Sequence, residues 1–211
     1  MKRLNIKLII TLLVSTGAFA VGVYFLHDFQ SRRRADGLLL LADQMREEQD
    51  YLQEANLRRR YISRRPEDTE QYGNVASAYA KLIEQSLAEG KFDPKIFQNA
   101  FRFYEQGIRN APDNIELRKG AIEFFLDMRR YKDAISHLEH LRNQQGTLEP
   151  EMQVKLALCY LRGGEEDRSR EMLSKMVGFD PASYKFDREA ATAPESLEAH
   201  QLLAVIYTSV G

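Results

Sequence analysis

Between residues 38 and 207 one spacing of large and small side chains returns five times, and it restricts the fold more than any other feature of the chain. The five stretches hold Leu38, Leu41, Ala42 and Met45; Tyr72, Val75, Ala76 and Tyr79; Arg118, Ala121, Ile122 and Phe125; Gln153, Leu156, Ala157 and Tyr160; and His200, Leu203, Ala204 and Tyr207. Positions one, four, five and eight fall on one side of a helix. A small residue set among larger ones on that side calls for a second helix at close range. Each of the first four stretches is followed by such a helix, carrying its own small residue with a breaker twelve positions later: Ala100 with Pro112, Ala134 with Gly146, Ser169 with Pro181. In the first, Ala55 and Pro66 are eleven apart. No run of alternating β-branched residues suggests a sheet. The spacing therefore predicts an all-α fold of helical hairpins from residue 35 onward, stacked because one hairpin cannot bury its apolar face alone.

The five stretches start 34, 46, 35 and 47 residues apart. The extra dozen residues in two intervals map to SLAEGKFDPK between the helices of the second hairpin and to ASYKFDREAATAP after the fourth. Within the former, Asp93-Pro94 has the form of a helix start, with an aspartate cap and proline at the first helical position. The pattern resembles the tetratricopeptide repeat (TPR), a 34-residue helix-turn-helix with W-x2-L-G-x2-Y, A-x3-F and P signals. Tyr72 to Tyr79, and Ala100 with Tyr104 and Pro112, carry the resemblance best; it departs in having no Trp and in placing Arg118 and Gln153 at an aromatic position. It implies a right-handed helical-hairpin solenoid with units at 35–68, 69–114, 115–149, 150–196 and an incomplete 197–211. It further implies that the first helices line a concave groove receiving a protein or peptide, through Leu39, Asp43, Arg46, Ser77, Lys81, Lys119, Glu123, Leu158 and Arg162. The lysine and asparagine clamp that some members use for a terminal carboxylate is not reproduced, since Glu123 follows Lys119 where asparagine is wanted.

Residues 1–34 read differently. Leu8 to Leu26 is an unbroken uncharged run between Lys2, Arg3, Lys7 and Arg32, Arg33, Arg34. Its 19 residues would be about 28 Å long as a helix, close to the roughly 30 Å bilayer core, so a single-pass transmembrane anchor over 8–26 is expected. Ala18-Phe19-Ala20 also has the form of a signal-peptidase site, but the apolar stretch continues past it. The basic flanks are nearly equal, and the short basic tail tips the expectation toward repeats outside the cytoplasm.

Chemistry is sparse. With 30 basic and 31 acidic side chains, the net charge of −1 gives no general attraction to nucleic acid. His137 and His140 stand one turn apart without a third or fourth ligand at a recognisable spacing, which reads as a solvated helix surface rather than a metal site. Cys159 in LALCYL reads as a small buried thiol. Gly163-Gly164 marks a turn between helices. Arg58 to Arg60 and Arg64-Arg65, diluted by Asp43, Glu47, Glu48, Asp50 and Glu54, read as a solvated face. No cofactor, metal or catalytic residue is expected. The chain reads as a membrane-anchored scaffold for protein partners; the alternative is the regulatory or targeting segment of a larger enzyme whose catalytic domain lies beyond residue 211.

Overall fold

A computed structural model describes the backbone of residues 6–209 and the side chains of residues 12–25 and 35–208. The chain divides into two compact units, one up to residue 112 and one from residue 113. The first holds α1 (Ile6–Glu47), α2 (Tyr51–Ile62), α3 (Glu70–Ala88) and α4 (Pro94–Asn110). The second holds α5 (Ile115–Asp127), α6 (Tyr131–Gln145), α7 (Pro150–Gly163), α8 (Glu166–Val177), the two-residue strands β1 (Phe179–Asp180) and β2 (Lys185–Phe186), and α9 (Leu197–Ser209). The fold is all-α apart from that short antiparallel ladder, in which Phe179 faces Phe186 and Asp180 faces Lys185.

Helix starts follow from local chemistry. The side chains of Asp50, Asp93 and Asn114 accept hydrogen bonds from the backbone N–H of Gln53, Lys95 and Leu117 at 3.0, 2.8 and 3.0 Å, satisfying donors that have no partner inside the helix. Pro94 stands at the first helical position behind Asp93, as its fixed φ and missing N–H favour.

Inside each unit consecutive helices pack as hairpins, and the small residues sit at the crossings. Ala42, Ala55, Ala76, Ala100, Ala134, Ala157 and Ser169 are all fully buried. Larger neighbours fill the space beside them. Tyr72 and Tyr79 of α3 both pack on Phe103 of α4, with ring centroids 6.4 and 6.2 Å apart. In the second unit Ala157, Leu173, Met176, Val177, Ala199, Leu203 and Ile206 form one core between α7, α8 and α9. Leu41 of α1 and Ala204 of α9 are exposed where the same positions elsewhere are buried. These are the first and last helices among the described residues, so each leaves one flank uncovered.

The extra residues are used in two ways. SLAEGKFDPK is half helix and half loop: residues 86–88 and 94–95 extend α3 and α4, which run to 19 and 17 residues, and leave a link of 89–93. Leu87 and Ala88 are good helix formers, and the chain turns only at Gly90, whose positive φ lets Lys91 N–H reach back to Ser86 C=O. The segment after α8 folds back on that helix instead. Gly178, not Pro181, ends α8: its φ is +70°, and a Cβ there would overlap the carbonyl of Asp187. Pro181 belongs to the turn of the ladder, where Asp180 accepts hydrogen bonds from Ala182 N–H and Ser183 O–H.

The expected transmembrane anchor is overturned. Among the described residues no helix is long and apolar enough to cross a membrane. The part of that run whose side chains are described, residues 12–25, belongs to α1, a single helix that continues to Glu47. Within it Ser15 and Thr16 place hydroxyls that donate to the Leu12 carbonyl. A single-pass localisation with the repeats outside the cytoplasm is therefore withdrawn. The rest of the expected span and its flanks, Lys2, Arg3, Lys7 and Arg32 to Arg34, lie outside the residues whose side chains are described.

Candidate functional site

In the first unit the expected groove residues are exposed or half-buried. Asp43 and Arg46 are exposed on α1, yet both are tied to a buried ion network. Arg58 Nη2 donates to Asp43 Oδ1 at 2.5 Å, Arg58 Nε to Glu54 Oε1 at 2.8 Å and Arg58 Nη1 to Gln71 Oε1 at 2.7 Å. Arg46 adds a bond to Glu54 Oε1 at 2.7 Å and one to Asn74 Oδ1 at 3.3 Å, reaching α3. Glu54 and Arg58 are 1% and 3% exposed, so Arg58 is no part of a solvated face. Leu39 and Ser77 are half-buried, and exposed Lys81 pairs with Glu84 at 2.9 Å.

In the second unit α5 and α7 are joined by charges along their surface. Lys119 Nζ lies 3.7 Å from Glu116 and 3.6 Å from Glu149. Lys155 Nζ donates to Glu123 and to Glu151, both at 2.6 Å. Partial burial alone would lower the Lys155 pKa, but the two carboxylates outweigh it and raise it, so this ammonium stays charged. Its hydrogen bond in turn lowers the Glu151 pKa. Lys155 is missing from the sequence expectation, although it is three residues before Leu158 and seven before Arg162 and so lies on their side of α7. Leu158 is half-buried; Arg162 is exposed and forms no ion pair among the described residues.

His137 departs from expectation. It is buried, its ring stacks on Phe125 with centroids 5.3 Å apart, and its Nδ1 lies 3.4 Å from Arg118 Nη1, the donor of that contact. Ala134, His137, Leu138 and Leu141 form one stripe of α6, and the imidazole fills a place in the core beside the buried arginine. His140 is exposed on the same helix. Among the described residues no three or more His, Cys, Asp or Glu side chains come close enough to hold a metal ion. Cys159 is fully buried, and burial pushes its thiol up to about 12, which leaves no thiolate at neutral pH.

Solved structures share this arrangement. A MamA point mutant superposes with a TM-score of 0.55 over 85% of this chain and 90% of that one, at 13% sequence identity. A MamA fragment from Desulfovibrio magneticus RS-1 gives 0.54 over 83% and 92%, at 16% identity. TTC0263, a thermophilic TPR protein in Thermus thermophilus, aligns over 93% of this chain and 97% of that one at 17% identity, with a TM-score of 0.49. No family model and no curated protein matches the sequence. The fold is a TPR-like helical repeat. That likeness concerns the arrangement of helices alone and says nothing of what this chain binds.

Proposed function

We propose that the chain is a scaffold, without catalysis of its own, that holds a protein or peptide against the first helices of its hairpins, with 35–68, 69–114, 115–149, 150–196 and 197–211 acting as the repeat units. In the first unit the binding face would use Leu39, Asp43, Arg46, Ser77 and Lys81. In the second it would use Lys119, Glu123, Leu158 and Arg162. The observation that supports this most is the bridge from Lys155 to Glu123 and Glu151. It holds the surface charges of α5 and α7 in one geometry before any partner arrives, and a preorganised surface loses less side-chain entropy on binding. Beside it, Leu158 offers apolar surface and Arg162 a cation with no ion-pair partner among the described residues.

A photo-crosslinking residue introduced at Arg162 or Lys81, and as a control at His140 on α6, tests the assignment. Adducts to a copurifying protein at 162 and 81 but not at 140 are expected. Adducts at 140 alone would move the binding surface to the second helices.

A further inference from the structure

A cleft of about 590 Å³ opens in the second unit between α6 and α8, with α7 beneath it. It lies on the far side of α7 from the face proposed above: Tyr160, which lines it, is two residues from both Leu158 and Arg162, about 200° around the helix. The folded-back segment borders it through Thr192, whose N–H donates to the Lys175 carbonyl at 3.3 Å while Ala193 N–H donates to the Met176 carbonyl at 2.8 Å.

Three of the lining side chains are basic, Arg142, Arg168 and Lys175, and one is acidic, Glu171. Arg168 is already committed. It donates to Glu139 at 2.7 Å and Glu165 at 2.6 Å, and its guanidinium carbon stands 4.1 Å from the centre of the Tyr160 ring. Tyr160 O–H donates to the same Glu139 oxygen at 2.6 Å, so this wall is fixed in place. Arg142 on α6 and Lys175 on α8 have no carboxylate within ion-pairing distance among the described residues. Met172, half-buried, adds unbranched, polarizable surface that adapts to different apolar side chains.

A concavity with two cations that form no ion pair among the described residues attracts anions, and its apolar lining selects against a bare inorganic one. We propose that this cleft binds a short peptide segment of a partner protein in which acidic side chains flank an apolar one, the acids pairing with Arg142 and Lys175 and the apolar group resting on Met172. The volume is in the range of ordinary ligand sites, which extends from roughly 300 to 1,000 Å³. The site is separate from the face of α5 and α7, so each can fail without the other.

Fluorescence anisotropy of a fluorescein-labelled Asp-Leu-Glu-Leu peptide with the full chain tests the proposal, with the amide analogue Asn-Leu-Gln-Leu as control. The amide analogue should bind at least about tenfold more weakly. Arg142→Glu and Lys175→Glu should each weaken binding about fivefold, and together more than tenfold, with the circular dichroism spectrum unchanged. Lys119→Glu and Arg162→Glu should leave it unaltered. Any of four results would overturn the proposal: no binding of the acidic peptide at 1 mM, equal binding of the amide analogue, indifference to both reversals, or full displacement by 10 mM inorganic phosphate or by a short single-stranded oligonucleotide.

Discussion

The hairpins α1–α2 and α7–α8 meet at small residues in the same way but surround them with opposite materials. Ala42 and Ala55 are fully buried beside a charged network in which Glu54 and Arg58 lose almost all contact with water. Ala157 and Ser169 are equally buried, but there the crossing itself holds a hydrogen bond from Ser169 Oγ to the Ala157 carbonyl at 2.8 Å within an aliphatic core of Leu173, Met176, Leu203 and Ile206, and the ion pair of that hairpin, Arg168 with Glu165, stays half in water at its edge. The contrast separates what the hairpin demands from what it tolerates. It demands a small side chain where the backbones approach, because interiors are close-packed and an added methylene must displace something. It tolerates ions nearby, provided every charge keeps its partner.

The largest effect should come from breaking the network on one side only. Arg58→Met strands Glu54 in the core with only exposed Arg46 to compensate, and should cost about 3–5 kcal/mol in urea unfolding. Removing both charges, with Glu54→Leu added, should recover most of that loss. If the double variant is no better than the single, the pair supplies net stability and the contrast between the two hairpins is smaller than described. His137→Leu ranks next, at about 1–3 kcal/mol, because it removes the ring stacked on Phe125 and the acceptor facing Arg118. His140→Leu should stay within about 0.5 kcal/mol.

Two serines of α8 sharpen the comparison further. Ser169→Ala loses the bond to Ala157 and should cost about 1 kcal/mol. Ser174→Ala should be neutral or slightly stabilising, because that hydroxyl is buried without a hydrogen-bond partner among the described residues. The smallest effect is a pH dependence. The hydrogen bond from Tyr160 is the main cause that lowers the Glu139 pKa, against an opposing effect of burial and with help from Arg168. A depressed pKa stabilises the fold above the unfolded value, near 4.3, and the gain is lost as pH falls through the folded value. The stability difference between the native chain and Glu139→Gln should therefore be present at pH 7, below about 1 kcal/mol, and begin to shrink only once the pH falls below about 4.3.

The hairpins are legible in the sequence because the small residues keep their spacing even where the residues around them change. Ala42, Ala76, Ala100, Ala134 and Ser169 are found by period alone, and each is buried. Polar side chains inside that period are harder to place. Glu54, Arg58, Tyr61 and Ile62 share one stripe of α2, as Ala134, His137, Leu138 and Leu141 share one of α6, so the signal for burial is present in both. Charge and imidazole point the other way until the partners on other helices are known. Asp43 and Gln71 are 15 and 13 residues from Arg58, on α1 and α3. The length of the run at 8–26 suggests a span that the described residues do not support. The cleft has no local signature, because Arg142, Tyr160 and Lys175 come from three helices.

Leucine scanning of the crossings in one urea-unfolding series tests the central claim most directly. Ala55→Leu, Ala100→Leu, Ala134→Leu and Ser169→Leu should each destabilise by about 1–3 kcal/mol, whether the surroundings are ionic or aliphatic, while His140→Leu changes little. Tolerance of leucine at all four positions, on a par with His140, would contradict it.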